Sequence, residues 1–318
     1  MFRAPLIWLS RQKSIFKFVR NNGFAKRAAS RFVAGETIES ACDAVAALNA
    51  QGITASLDVL GESVEREEEA RETGRQYLQL LDEIARRRLD ANVSVKLTAL
   101  GQDISNDVCE EITRSILDRA RQLGTFVRLD MEGSAYTQRT LDFFEQRLLA
   151  DYPDNVGIVL QSMMRRTAQD TAWAVAKHCR VRICKGAYLE PASVAFPDKR
   201  DVDRTFVECS KTLVQRGRYP GLATHDEKIV TELCAWATAS GIGADRFEFQ
   251  MLNGVRRDLQ EKLVREGWRL RVYVPFGTQW YPYLMRRLAE RPANVWFITG
   301  NILREAGSGS RKRVGSGA

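Results

Sequence analysis

Near the end of the sequence, in WYPYLMRRLAERPANVWF, Arg286 and Arg287 stand side by side on a stretch with helical spacing. Two adjacent guanidinium groups, each a planar fork of donors, suit the bidentate capture of a carboxylate. Leu284, Arg287 and Leu288 share one helical face, and Arg286 lies one turn before Glu290, within reach of an ion pair. Pro282 and Pro292 mark the two ends of this helix. Alone, an Arg-Arg pair reads as a solvated surface; its position directly after the last of a series of β-rich runs favours the clamp. Other chemistry is poorly provided for. The six cysteines show no C-x-x-C and no paired Cys/His spacing, and only His178 and His225 exist, so no metal site is expected.

The β-rich runs themselves carry charge. They are TASLDVLG, VSVKLTALG, FVRLDMEGS, VGIVLQSM, VRICKGAY, GLATHD, FEFQMLNG and RVYVPFGT, starting near Thr54, Val93, Phe126, Val156, Val181, Gly221, Phe247 and Arg271. Each is followed by a segment able to form a helix. The most obvious is VEREEEARETGRQYLQLLDEIARRR, with an apolar stripe of Tyr77, Leu80, Leu81 and Ile84. Eight βα repeats without a break predict an α/β fold, a closed parallel (β/α)8 barrel, with extra N-terminal helices and the final helix packed at the barrel mouth.

In a barrel strand, side chains alternate between the helices and the barrel axis. With Val95, Leu97, Val127, Leu129 and Met131 facing the helices, Lys96, Arg128, Asp130 and Glu132 face inward. The same rule sends in Asp58, Gln161, Arg182, Gly186, Tyr188, Glu248, Gln250, Leu252, Tyr273 and Gly277. Barrel interiors are usually filled with branched aliphatics. So many buried charges must pair with each other or with a ligand. A self-satisfied ion-pair network is one reading. A polar ligand pocket is the other, and it better explains why these residues recur in most strands near the C-terminal ends, where barrel active sites lie.

At 318 residues the chain suits one barrel of roughly 250 residues with additions at both ends. The expected division is a basic N-terminal helical arm over 1–49, the barrel over 50–303 and a flexible tail, rich in Gly and Ser, over 304–318. No apolar run is long enough to cross a bilayer. The net charge of +8 is uneven: Arg3, Arg11, Lys13, Lys17, Arg20, Lys26, Arg27 and Arg31 all precede the first acidic residue, Glu36. Interleaved with Trp8, Phe16 and Phe18, this arm is compatible with short helices packed across the barrel, an anionic membrane surface or a transit peptide. Acids are plentiful elsewhere, so net charge does not argue for nucleic acid. Scattered single cysteines point to a reducing compartment, and a cytoplasmic location with peripheral association at the inner membrane is the expectation.

The segments VSVKLTALG, LDMEGS, Gln161, RICKGAY, ATHD, FEFQMLNG, VYVPFG and YLMRRLAERPAN, in this order and at strand ends, resemble the proline dehydrogenase family, especially its compact monofunctional bacterial members. The likeness runs from about Ala50 to Asn301; its specific part is YxxRRLxERPxN together with RxxKGAY. It implies FAD at the barrel mouth and oxidation of L-proline to Δ1-pyrroline-5-carboxylate, the first step of proline catabolism to glutamate, by hydride transfer to flavin N5 with electrons passed to a quinone. It implies that Arg286, Arg287 and Lys96 hold the substrate carboxylate, with Glu290 in a supporting ion pair to Lys96 or its neighbours. Asp130, Arg182 and Tyr273 are the implied catalytic residues, Arg182 beside N5, while Tyr188, Leu252 and Tyr273 wall the pyrrolidine ring. Flavin contacts map onto Met131, Gln161, Lys185, Gly186, Ala187, Thr224 and His225, the last of which is by itself an ordinary hydrogen-bonded histidine. The Tyr273 ring would crowd a substrate hydroxyl, favouring proline over hydroxyproline. A related flavin barrel oxidoreductase and a non-enzymatic basic binding protein are the alternatives. No strand–Gly-rich loop–helix unit appears, which argues against a nicotinamide cofactor.

Overall fold

The computed structural model describes residues 30–290; most of the basic arm and the Gly/Ser tail lie outside the described residues. Ala34–Gly277 form one compact unit, and the flanking residues belong to a second. The first unit is a closed barrel of eight parallel strands paired in chain order, with β8 returning to β1. The order is α1 (Ile38–Asn49), β1 (Thr54–Val59), α2 (Glu67–Arg86), β2 (Ala91–Val95), α3 (Asn106–Gln122), β3 (Val127–Leu129), α4 (Ser134–Phe143), β4 (Val156–Gln161), α5 (Thr167–Ala176), β5 (Arg180–Cys184), α6 (Lys199–Arg216), β6 (Gly221–Ala223), α7 (Glu227–Ala239), β7 (Glu248–Leu252), α8 (Arg257–Arg265) and β8 (Leu270–Phe276). The (β/α)8 expectation is met, with strand starts within two residues of those read from the sequence.

Local chemistry explains the elements. Thr37 caps α1 in a reciprocal box with Ser40, Ser105 caps α3 and Asp198 caps α6. No side chain caps α2, but Glu67, Glu68 and Glu69 fill its first turn, where the helix dipole favours anions. Its buried face carries Tyr77, Leu80, Leu81 and Ile84, the stripe expected. Parallel strands covered by helices are apolar on their outer face; Val93, Val127, Ile158, Ile183, Leu222, Phe249 and Val272 form that layer and are fully or almost fully buried. The inner face is polar. Ser56, Asp58, Ser94, Arg128, Arg182, Glu248 and Gln250 are all buried.

Two glycines make room for this interior. A Cβ at Gly157 would sit 2.8 Å from Arg128 Nη1, and one at Gly221 would sit 2.3 Å from Gln250 Nε2. Alternation holds inside the strands and carries on to Lys96 and Asp130, whose side chains reach the barrel interior. Lys96, Asp130, Glu132, Gly186, Tyr188 and Gly277 all lie just past the ends of their strands. At Gly186 (φ +103°) and Gly277 (φ +121°) the backbone enters the left-handed region, so the two-residue rule no longer applies. Conversely, Arg180 and Arg271, two residues before Arg182 and Tyr273, also turn inward and were not singled out. The second unit's described helix, α9 (Trp280–Glu290), spans the Arg-Arg motif. Among the described residues no helix is long and apolar enough to cross a membrane.

Candidate active site

Side chains from β1, β2, β3, β5, β7 and β8 or their C-terminal ends converge inside the barrel. Lys96, directly after β2, places its ammonium 2.7 Å from Asp58 Oδ1 on β1. Asp58 is 1% exposed, and burial pushes its carboxyl upward while Lys96 opposes the shift. Burial alone would lower Lys96, but Asp58 and Asp130 outweigh it and hold the ammonium above the ordinary lysine range. Burial thus bears most heavily on the acid, and the ammonium is the partner that opposes it. Tyr77, from α2, reaches beneath: its hydroxyl donates to the Ser94 carbonyl at 2.8 Å and accepts from the Val59 amide at 3.2 Å.

Asp130, just past β3, accepts from Arg182 Nη1 at 2.6 Å through one oxygen and from the Tyr273 hydroxyl at 2.7 Å through the other. The Arg182 guanidinium lies 5.3 Å from the Tyr273 ring centroid. Burial, reinforced by Asp130 and Asp58, lifts the Tyr273 phenol well above its usual range, so it stays a protonated donor. Arg182 is held from two further sides, Nε donating to Gln250 Oε1 at 2.5 Å and Nη2 to Ser94 Oγ at 3.1 Å. Lys96, Arg182, Asp58 and Asp130 thus make one cluster with two positive and two negative charges.

The neighbouring strand ends add polar groups. Glu132 accepts from the Thr98 hydroxyl at 2.6 Å, and burial raises its carboxyl against that bond. Gln161 donates to the Glu132 carbonyl at 2.9 Å. Lys185 pairs with Asp203 at 2.6 Å and Asp226 at 3.1 Å. Gly186 follows with its backbone pressed on Met163: an added Cβ would meet the sulfur at 2.4 Å. Thr224 accepts from the Asp226 amide, and His225 Nε2 accepts from the Leu252 amide at 2.8 Å, which ties the end of β6 to that of β7. Met131 is buried; Ala187, Tyr188 and Leu252 are partly buried. Beyond Tyr188, Glu190 accepts from the Ser134 amide at 2.7 Å and from its hydroxyl, pinning the β5–α6 segment to the start of α4.

Thus Lys96, Asp130, Arg182 and Tyr273, four residues chosen from sequence, come together. The side chains of Arg286, Arg287 and Glu290 on α9 lie outside the described residues. Lys96 has its carboxylate partner in Asp58. In sequence Asp58 is an inward acid without a role; its register partner is Ser94 on the adjacent strand, two residues before Lys96. The contributions of Ser94, Tyr77 and Thr98 had no such signal, because Ser, Tyr and Thr are ordinary in any strand or helix. The arrangement sets paired charges at the strand ends, where a small polar molecule could be held, and among the described residues there is no group able to hold a metal ion.

Known proteins resemble this chain in sequence and in fold. A family model described as proline dehydrogenase matches residues 41–299. Proline dehydrogenase 1 of Bacillus subtilis strain 168 is 39% identical over 305 residues, covering 96% of this chain and 100% of that one. Proline dehydrogenase of Deinococcus radiodurans is 38% identical over 307 residues, 96% of this chain and 98% of that one. Among solved structures, proline utilization A from Bdellovibrio bacteriovorus, inactivated by N-propargylglycine, superposes with a TM-score of 0.77 at 25% identity. That match covers 83% of this chain and 32% of the other, about a third of its length.

Proposed function

The chain belongs to the proline dehydrogenase family, and on that premise we propose that it oxidises L-proline to Δ1-pyrroline-5-carboxylate with FAD as cofactor and a quinone as electron acceptor. The observation that carries the reading is the buried Asp130–Arg182–Tyr273 cluster beside Lys96–Asp58, whose four charged side chains sum to zero. A site that presents both cations and anions matches a zwitterionic amino acid, which brings one charge of each sign. In the reaction the substrate loses a hydride from carbon and a proton from nitrogen, leaving a C=N bond.

The residues present fit FAD. Gln161, the Lys185–Gly186–Ala187 segment and Thr224–His225 sit at the ends of adjacent strands β4, β5 and β6. They offer an amide, an ammonium, a glycine backbone without Cβ and a hydroxyl: donors suited to the oxygens and nitrogens of a flavin and its diphosphate. Met131, Gln161, Lys185, Gly186, Ala187, Thr224 and His225 are assigned to hold it. When bound, the cofactor supplies the two-electron acceptor that no side chain here can provide.

The chain's own residues do the rest. Arg286 and Arg287, with Lys96, bind the substrate carboxylate, and Glu290 belongs to the supporting ion pairs. Tyr188, Leu252 and Tyr273 wall the ring and keep water from it. Arg182 brings a fixed positive charge to where negative charge develops, and it costs no reorganisation because Asp130, Ser94 and Gln250 already hold it. Orientation of this kind is the protein's main contribution to a hydride transfer. A cytoplasmic enzyme that meets its quinone by peripheral contact of the basic arm with the membrane is the accompanying reading.

Anaerobic titration of the purified yellow protein with L-proline tests the proposal. Bleaching of the flavin band by proline, and far less by hydroxyproline, is expected. A colourless protein that resists flavin reconstitution would overturn it in favour of a binding protein. Removal of residues 1–35 should impair quinone reduction on vesicles more than activity with a soluble dye; equal losses would remove the membrane assignment.

A further inference from the structure

Beneath the reacting side chains a hydrogen-bonded line descends through the barrel. Arg182 Nε donates to Gln250 Oε1, and Gln250 Nε2 donates to Glu248 Oε1 at 2.6 Å. Glu248 in turn accepts from Arg271 Nε at 2.7 Å, and Arg271 Nη1 donates to the Ala55 carbonyl at 2.7 Å. The direction of the line is determined. A carboxylate only accepts, so the amide NH2 of Gln250 must face Glu248, and its oxygen is left for Arg182. Burial pushes the Glu248 carboxyl upward, but Arg271 and Gln250 outweigh it and hold it below its ordinary range, so the acceptor end does not lapse. On the far side of Gln250, Gly221 has no Cβ, and one there would stand 2.3 Å from Gln250 Nε2.

We propose that Gln250, seated in the space left by Gly221 and locked by Glu248 and Arg271, is the positioning residue that sets Arg182 for the reaction. Asp130 and Ser94 each hold one terminal nitrogen, at 2.6 and 3.1 Å. Two such anchors on one end of a guanidinium leave it free to pivot; the Nε–Gln250 bond at its root fixes the remaining rotation. Gln250 touches neither substrate nor cofactor in this assignment and acts only through Arg182. The inference rests on the reading of Arg182 as the cation beside the flavin.

Two variants perturb the seat from opposite sides. Gln250→Met removes the acceptor, and Gly221→Ala pushes the amide away without altering any polar group. Both should lower kcat for L-proline about tenfold, the scale expected when an electrostatic group is mispositioned rather than deleted. The proline KM should stay within about twofold, because the carboxylate contacts lie elsewhere. The flavin midpoint potential should move to more negative values, since a displaced Arg182 stabilises less negative charge on reduction. A purely structural role would lower the melting temperature and leave kcat and potential unchanged, and that result overturns the proposal. Should Gly221→Ala not fold, Gln250→Met decides alone. A crystal structure of Gln250→Met reads the Arg182–Asp130 contact directly, with or without flavin; an unmoved guanidinium sinks the positioning claim. Failure of proline to bleach the parent protein would instead sink the functional reading.

Discussion

The two ends of the barrel interior both hold buried cations, yet these are satisfied in different ways. At the base, Arg128 is buried, and its Nη1 donates to the Ile158 and Arg180 carbonyls at 3.1 and 2.7 Å. Its guanidinium lies 4.7 Å from the Phe126 ring; Arg180 lies 4.1 Å from the same ring and 5.2 Å from Tyr219, and Arg269 lies 5.7 Å from Tyr219. This is a stack of cations and rings closed by backbone carbonyls. Burial, with Arg182 and Arg180 adding to it, drives the Arg128 pKa well below its normal range. At the mouth, Lys96 and Arg182 each meet a carboxylate, and Asp130 is shared with a phenol. A polar barrel interior is therefore not in itself a mark of function. At the base Arg128 and Arg180 meet carbonyls and rings beside the closed Arg271–Glu248 pair, whereas the ion pairs at the mouth keep a charge pattern that a substrate can complete.

If that contrast is right, mutations at the mouth should change pH behaviour and rate, and mutations in the Arg128–Arg180 stack at the base should change stability alone. Lys96→Met should have the largest effect. It leaves Asp58 buried and unpaired, a loss of about 3–5 kcal/mol at neutral pH. The sign follows from linkage. Burial already raises the Asp58 pKa in the folded state, so the fold gains relative stability as pH falls and Asp58 takes up a proton. Without Lys96 that pKa rises further, so the gap between parent and variant denaturation midpoints should widen as pH rises. A pH-independent gap would break the assigned pairing. Arg182→Met should follow, lowering kcat about 100-fold in flavin-loaded protein, equivalent to about 2.7 kcal/mol. A kcat within threefold of the parent would remove Arg182 from the chemistry.

Arg128→Leu, at the base, should cost about 2 kcal/mol through two stranded carbonyls and a void, while kcat per folded molecule stays within about twofold. A rate loss there as large as for Arg182→Met would erase the distinction between the ends. The smallest effect is expected of Tyr273→Phe. Losing one hydrogen bond to Asp130 should cost about 1 kcal/mol, with a severalfold fall in kcat/KM for proline. Improved use of hydroxyproline by this variant would sharpen the claim that the phenol end of the ring meets the substrate.

Much of this was legible beforehand, for identifiable reasons. The βα rhythm is a local, repeated pattern, so eight strands were countable and their starts fell within two residues. The inward set was legible because Lys, Asp and Arg on a strand flanked by Val and Leu leave few alternatives. Alternation stops where the backbone leaves the extended region, as at Gly186, whose positive φ breaks the period. Arg180 and Arg271 obey alternation but carry no motif, because they sit at the roots of their strands and the motifs sit at the ends.

The residue types and their order, taken alone, determined the barrel, the polar interior and the family, because each rests on spacing within one strand or one motif. Which acid serves which base was decided only by tertiary structure. Asp58 and Lys96 lie 38 residues apart, and Asp130 and Tyr273 lie 143 apart. Contacts of that kind depend on the closure and register of the barrel, which set strands beside one another and leave space at Gly157 and Gly221 for long side chains to meet. No local pattern encodes where two inward side chains stop, since each is placed by the volume that all the others leave.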